Sequence, residues 1–447
     1  MKWASGISLS GLAVCLIALA CEPSGLPGQI AGSAEQPKAA DDAFTIFLTG
    51  NVMSTLQPCG CSSGQLGGLD RRGAVLAAVP PERRLVIDTG NLLAGDGVQD
   101  MIKLGIIWQA MTILGYDVVN LTPADRAALA NLGLADGGPF SLISSQTSPG
   151  IKDSYSRQSE IAGRPLTVTV ASAKAESIDV KNLSSLFGRR AGLALNILIV
   201  DDASERMLNQ LEKTDFLDVV VCPTAADEPR ILRKNLRPLF VTVGRLGKYA
   251  ARLTATPASG DRLSLQFDRI PVDENLPQDE ELMQLYKDYQ FMVKEEQLLE
   301  RHPRVPLPNG LSYMGNETCR SCHEYEYDMW SRNPHARAYE TLVKVGSQHD
   351  PECIKCHVVG FGYESGFISE ASRKSLRNVG CEVCHGPASA HIKAVTTGLG
   401  DNGLGEPKAK CVDCHNPDHS PRYQGREAKF LQKIKHWREP KAPGDVK

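Results

Sequence analysis

Four copies of Cys-x-x-Cys-His fall in the last third of the chain. They are Cys319-Arg-Ser-Cys322-His323, Cys353-Ile-Lys-Cys356-His357, Cys381-Glu-Val-Cys384-His385 and Cys411-Val-Asp-Cys414-His415. This is the spacing of a c-type haem attachment site. Two thiols add to the two vinyl groups of a haem, and the adjacent His is held under the iron as an axial ligand. Four covalently bound haems on the 105 residues from Cys319 to Tyr423 leave too little apolar side chain for an ordinary core. The porphyrins must supply that core, so this region is expected not to fold without them. The four motifs read as a multihaem electron-transfer module, with His323, His357, His385 and His415 as proximal ligands.

Histidine distribution sharpens the reading. All ten His lie between His302 and His436. After the four proximal ligands, six remain: His302, His335, His349, His391, His419 and His436. Asn333 and Pro334 can cap and start a helix, which fixes His335 at its first turn. His391 and His419 each follow a motif closely. They are too near their own proximal His to reach the opposite haem face, so each should ligate a neighbouring haem. His302, His349 and His436 read as bystanders, with His349 in a polar loop. An electron carrier needs two ligands per iron, whereas an enzyme leaves one face open.

The bulk numbers bound the rest. A length of 447 residues suggests two or three domains, and 42% hydrophobic residues is usual for a soluble globular protein. The formal net charge of -3 speaks against nucleic acid as a partner. Lys2 precedes an uncharged, mostly apolar run over 7–20 that is too short to span a bilayer and reads as an export signal. Ala18-Leu-Ala-Cys21 resembles a lipoprotein cleavage box, which would make Cys21 the acylated N-terminus and tie the protein to a membrane. Its location is then extracytoplasmic, the periplasm or cell surface. The expected organisation is a leader at 1–21, a Gly/Pro/Ser-rich tether at 22–42, a first domain at 43–275, a helical connector at 276–310, the haem domain at 311–425 and a basic tail at 426–447. Six bases face two acids between 426 and 441. That tail is either a solvated helix end or a dock for an acidic redox partner.

The first domain alternates apolar strand-like runs (44–49, 84–88, 116–121, 193–200, 217–222 and 239–243) with helical patterns such as 98–114. This argues for α/β layering. Several segments resemble the 5'-nucleotidase and metallophosphoesterase family. They are Phe44-Thr-Ile-Phe-Leu-Thr-Gly-Asn51, Gly67-Gly-Leu-Asp-Arg-Arg72, Leu85-Val-Ile-Asp-Thr-Gly-Asn91 and Phe240-Val-Thr-Val-Gly-Arg-Leu-Gly-Lys-Tyr249. The resemblance implies that family's fold, but the metal ligands are gone. Asn51 and Met53 stand at an Asp-x-His site, Asn91 at a bridging Asp, and 122–125 at Gly-Asn-His-Glu. With no His before His302, phosphoesterase chemistry is not expected. Gln57-Pro-Cys59-Gly-Cys61 resembles a branch of UshA-like proteins with Pro-Cys-Gly-Cys. Cys59, Cys61 and Cys222, which could approach the same crevice, form either a thiol redox or soft-metal site, or else a structural disulfide or thiols packed under a Gly-rich loop.

The haem region is similar to the tetrahaem cytochrome c-554 family. The resemblance rests on Ser331-x-x-Pro-His335-Ala, Cys356-His-Val-Val-Gly-Phe-Gly-Tyr363, and Val379-Gly-Cys-Glu-Val-Cys-His-Gly-Pro387 with its trailing His391. It implies a mainly α-helical, haem-packed fold. It also implies that His335, His391 and His419 are distal ligands and that the His357 haem lacks a sixth ligand. The expected function is electron transfer between an extracytoplasmic donor and acceptor. The alternative is an oxidoreductase acting on a small nitrogen or sulfur compound at an open haem or at Cys59/Cys61.

Overall fold

The segment Phe44–Thr49 is buried at every position, as a strand covered on both faces must be. A computed structural model describes residues 42–438 apart from 59–62, 135–136, 189–191, 234–235, 401–403 and 405–406. The leader, Cys21, Cys59 and Cys61 lie outside the described residues, as does the tail beyond 438.

The first half of the first domain runs β1 (Phe44–Thr49), α1 (Leu69–Ala77), β2 (Arg84–Asp88), α2 (Val98–Ile113), β3 (Val118–Asn120), α3 (Pro123–Asn131) and β4 (Ser141–Ile143). The second half runs β5 (Ser154–Ile161), β6 (Arg164–Ala173), α4 (Val180–Ser185), β7 (Leu193–Val200), α5 (Glu205–Leu211), β8 (Val219–Val221), β9 (Ile231–Arg233), β10 (Leu239–Val241), β11 (Tyr249–Pro257) and β12 (Leu263–Pro271). Two six-stranded sheets result, ordered β12-β11-β1-β2-β3-β4 and β5-β6-β7-β8-β10-β9. Both are mixed: β1 pairs in parallel with β2 and antiparallel with β11, and β6 pairs in parallel with β7 and antiparallel with β5.

The sheets stack face to face. Ile46, Leu48 and Ile87 of one share an apolar cluster with Val168, Val170, Leu195 and Ile197 of the other. Phe47, Val86 and Val119 point the opposite way, onto α1 and α2. On the far side Leu198, Val220 and Phe240 pack on Met207, Leu208 and Leu211 of α5. The expected α/β layering is therefore a helix–sheet–sheet–helix sandwich.

The connector helix α6 (Glu280–Glu295) begins at Asp279, whose carboxylate accepts from Glu281 N at 3.0 Å and Leu282 N at 3.1 Å. Leu282, Leu285, Tyr289 and Val293 are buried in the same cluster as α1 and α2. The haem region follows as short helices: α7 (Asn316–Arg320), α8 (Glu324–Ser331), α9 (Ala338–Val345), α10 (Pro351–Ile354), α11 (Glu370–Arg373), α12 (Cys381–His385), α13 (Ser389–Thr396) and α14 (Glu427–Lys433). Its own apolar cluster holds only eight buried residues, among them Tyr339, Leu342, Ile354 and Phe367. Residues 39–447 form one compact unit.

Candidate haem-binding site

Each motif closes into a single helical turn. His323 N donates to Cys319 O at 3.0 Å, His357 N to Ile354 O at 2.8 Å, and His415 N to Cys411 O at 2.8 Å. The third motif is α12 itself. In such a turn residues i, i+3 and i+4 share one face, so both thiols and the imidazole point the same way.

The motifs are gathered by specific contacts. The Cys319 thiol lies beside that of Cys381, and the Cys356 thiol beside that of Cys414. Cys384 lies near Cys411. In space the order is therefore first, third, fourth, second. Asn316 on α7 accepts from Cys381 N at 2.9 Å. A Cβ at Gly380 would sit 2.1 Å from the side-chain Oδ1 of Asn316, the atom that accepts from Cys381 N, so a larger residue here would displace that contact.

Three imidazoles stand opposite motif histidines. Ring centres are 6.3 Å apart for His323 and His391, 6.1 Å for His335 and His415, and 6.2 Å for His385 and His436. A metal bridging two ring nitrogens at ~2.0–2.1 Å, plus ~1.1 Å from nitrogen to ring centre on each side, gives ~6.3 Å. The donor set therefore fits an iron held between two imidazoles.

Protonation agrees with that fit. Burial, then the neighbouring His415, His357 and His436, push the His335 imidazole down to about 4. Burial, then His357, also lowers His415. Both rings stay neutral and keep a lone pair. His357 Nδ1 lies 2.6 Å from Ala338 O, and His436 Nδ1 lies 2.9 Å from Ile434 O. A carbonyl only accepts, so Nδ1 carries the proton and Nε2 is left as the ligand atom.

The sequence presents His436 as a bystander, and the structure sets its ring 6.2 Å from that of His385. Phe430 of α14 packs edge-on to the His415 ring at 5.7 Å. This brings the tail onto the haem region and His436 to His385. His419 lines a shared cavity, with Nδ1 2.7 Å from Asn416 Oδ1. His302 stacks on Phe361 at 4.4 Å. His349 is half-buried rather than solvated, and burial lowers its pKa.

That cavity has a volume of about 630 Å³ and lies between the two regions. Cys353, Cys356, Cys411 and Cys414, with His335, His357, His415 and His419, form one wall. Met53 to Pro58, Leu66, Leu246 and Tyr286 form the other. The loops after β1, β2 and β3 meet at this end of the sheet, where α/β folds place their sites.

The degenerate metal site is part of that end. Asn91 Nδ2 donates to Asn51 Oδ1 at 2.8 Å, and Asn51 Nδ2 donates to Gly244 O at 2.8 Å. Asp125 closes a capping box with Thr122 and accepts from Asn91 N at 3.0 Å and Leu92 N at 2.8 Å. Two carboxylates at that distance would need a cation between them, whereas two amides bond directly. Among the described residues no group of three or more His, Cys, Asp or Glu side chains is placed to hold a metal ion.

Cys222 does not line the cavity. It is buried beside Leu198, Met207 and Phe240 on the far side of the second sheet, and burial pushes its thiol up to about 12. A neutral, enclosed thiol packs as a small hydrophobe.

The motifs, their thiol contacts and the paired imidazoles define a c-type haem protein. Residues 318–386 match the model of the family described as cytochrome c554 and c-prime. Cytochrome c-554 of Nitrosomonas europaea is 36% identical over 90 residues, which cover 17% of this chain and 38% of that protein. The C-terminal region is thus of cytochrome c554 type, and covalently bound c-type haem is the cofactor that this implies. Two solved structures are similar across the first domain. The sulfate thiohydrolase SoxB of Thermus thermophilus has a TM-score of 0.46 at 14% identity, covering 61% of this chain and 63% of that one. A 5'-nucleotidase precursor from the same organism has a TM-score of 0.44 at 14% identity, covering 59% of this chain and 61% of that one. The chain therefore spans less than two thirds of each of these relatives.

Proposed function

We propose that this chain is an exported four-haem c-type cytochrome that relays electrons between extracytoplasmic redox partners. The observation that carries the proposal is the set of three imidazole pairs at 6.1–6.3 Å, each joined to a motif histidine. Cys319/Cys322, Cys353/Cys356, Cys381/Cys384 and Cys411/Cys414 would hold the haems through thioethers. His323, His357, His385 and His415 are the proximal ligands. His391, His436 and His335 face the first, third and fourth of these.

Haem held in this way supplies reversible one-electron transfer at iron, and paired ligands limit rearrangement on reduction. The protein's part is to fix the rings and exclude water. Ala338 O orients His357, and Ser420 Oγ, 2.9 Å from Nδ1, orients His415. The adjacency of the thiols gives a relay running first, third, fourth, second. Lys2 and the apolar run ending at Cys21 support export with lipid anchoring. Among the described residues no helix is long and apolar enough to cross a membrane.

A second reading is an oxidoreductase acting on a small nitrogen or sulfur compound. It is favoured by one observation. Pro58 before and Leu66 after the Cys59–Cys61 segment line the same cavity as Cys356 and Cys414. The deciding experiment combines a pyridine haemochrome count with turnover assays of the C59S/C61S variant. Four haems per chain and no thiol-dependent turnover fit the relay. Fewer than four in fully matured protein sink the four-haem reading, and turnover abolished by the double substitution establishes the enzyme.

A further inference from the structure

Glu382 lies inside the third motif and is 1% exposed, the deepest carboxylate of the haem region. Three backbone N–H groups point at its two oxygens. Met314 N donates at 3.0 and 2.9 Å, Gly315 N at 2.7 Å, and Ala388 N at 2.8 Å. Its two oxygens accept from these backbone amides alone. Met314 and Gly315 lead directly into α7, which carries Cys319. One side chain therefore ties the first motif to the third. It also acts electrostatically on the sulfurs of both Cys319 and Cys381.

We infer that Glu382 holds down the reduction potentials of the haems attached at Cys319/Cys322 and Cys381/Cys384. The inference rests on the four-haem reading above. Reduction adds one electron to ferric iron, and a fixed negative charge nearby opposes that addition. Buried charges are screened far less than surface ones, so this carboxylate outweighs exposed Glu317 on α7. Electrons shared among the haems then settle on the pair at His357 and His415, the half walled by the first domain. Glu382 is a positioning residue with an electrostatic effect, not a ligand.

The test is a potentiometric titration of the whole protein, followed by EPR and visible spectra, after a haem count. The E382Q substitution removes the charge. Two of the four midpoints should rise by the equivalent of about a tenfold change in the reduction equilibrium, ~59 mV for one electron. The E382D substitution keeps the charge on a shorter arm, so its midpoints should stay near wild type while thermal stability falls. Unmoved midpoints in a four-haem E382Q protein overturn the inference. So does an E382D shift as large as that of E382Q, since the effect would then be one of packing. If E382Q fails to take up its haems, E382D alone decides: retained midpoints support the inference and a tenfold shift overturns it. A wild-type count other than four defeats the functional reading and leaves this inference without its basis.

Discussion

The Tyr289 hydroxyl donates to the Asp350 carboxylate across 2.7 Å, joining the connector helix to the second haem motif. Gln99 of α2 donates to the other Asp350 oxygen at 2.8 Å, and that oxygen also accepts from Glu352 N at 2.8 Å. Asp350 therefore caps α10, the turn that presents Cys353, while α2 of the first domain and the connector helix α6 hold it. Lys103 adds an ion pair to Glu352 at 2.5 Å. A second tie lies at the fourth motif, where Lys248 reaches Asp418 and Gln65 Nε2 donates to Asp418 O at 3.0 Å.

The first prediction follows from that cap. Y289F removes one buried hydrogen bond to a charged acceptor, which costs ~1.5–3 kcal/mol. The guanidinium midpoint should fall, and the spectrum of the His357 haem should change while the other haems keep theirs. An unchanged midpoint in Y289F would show that the connector helix does not brace the second motif.

The second prediction separates His436 from His419. Replacing His436 with Ala should turn the haem on His385 from low-spin to high-spin, seen by low-temperature EPR as about a quarter of the iron. H391A and H335A should do the same for the haems on His323 and His415. H419A should leave the His385 haem low-spin, because the ring facing His385 at 6.2 Å is His436. The reverse result would return the distal role to His419.

How far the sequence reaches depends on what each feature encodes. The Cys-x-x-Cys-His turns are local, so their thiols and proximal rings are legible from spacing. Distal ligands come from tertiary packing. His391 and His335 are expected from position and family likeness, whereas His436 sits 21 residues past His415 in a basic stretch with no motif. The signal that could have found it is a count: eight iron faces compete for ten histidines, and His436 follows the apolar Phe430, Leu431 and Ile434. In the first domain the unbroken apolar β7 is legible. The strand β5 escapes such a reading because Ser154-Tyr-Ser-Arg-Gln-Ser-Glu alternates between exposed and half-buried polar positions at a sheet edge. Asn51 and Asn91 stand out in the sequence as departures from the family's ligand pattern, but only the structure shows the hydrogen bond between them.

A third prediction reverses that replacement. N51D with N91D places two carboxylates where the amides now meet at 2.8 Å. At ~4 Å and an effective dielectric of ~20, two like charges repel by ~4 kcal/mol. The double variant should melt lower in chelator than wild type and recover when Mn²⁺ is added. Wild type should show no such metal response. Recovery without metal would mean that the loops relax enough to separate the charges.

The fourth prediction concerns pH. Asp88 is fully buried at the end of β2, accepting from Thr49 Oγ1 at 2.8 Å and Gly90 N at 2.9 Å. Burial, which outweighs those hydrogen bonds and the charge of Arg72, pushes its carboxyl up to about 6. The folded protein therefore holds this proton more tightly than the unfolded chain does. The stabilisation is fully present below pH ~4 and is lost as pH rises through about 6. Raising a carboxyl from ~4 to about 6 corresponds to ~3 kcal/mol. D88N cannot ionise, so its stability should lose this descending limb, and the difference between D88N and wild type should change in favour of D88N between pH ~4 and ~7. Parallel curves from chemical unfolding at several pH values would assign the titration to another group.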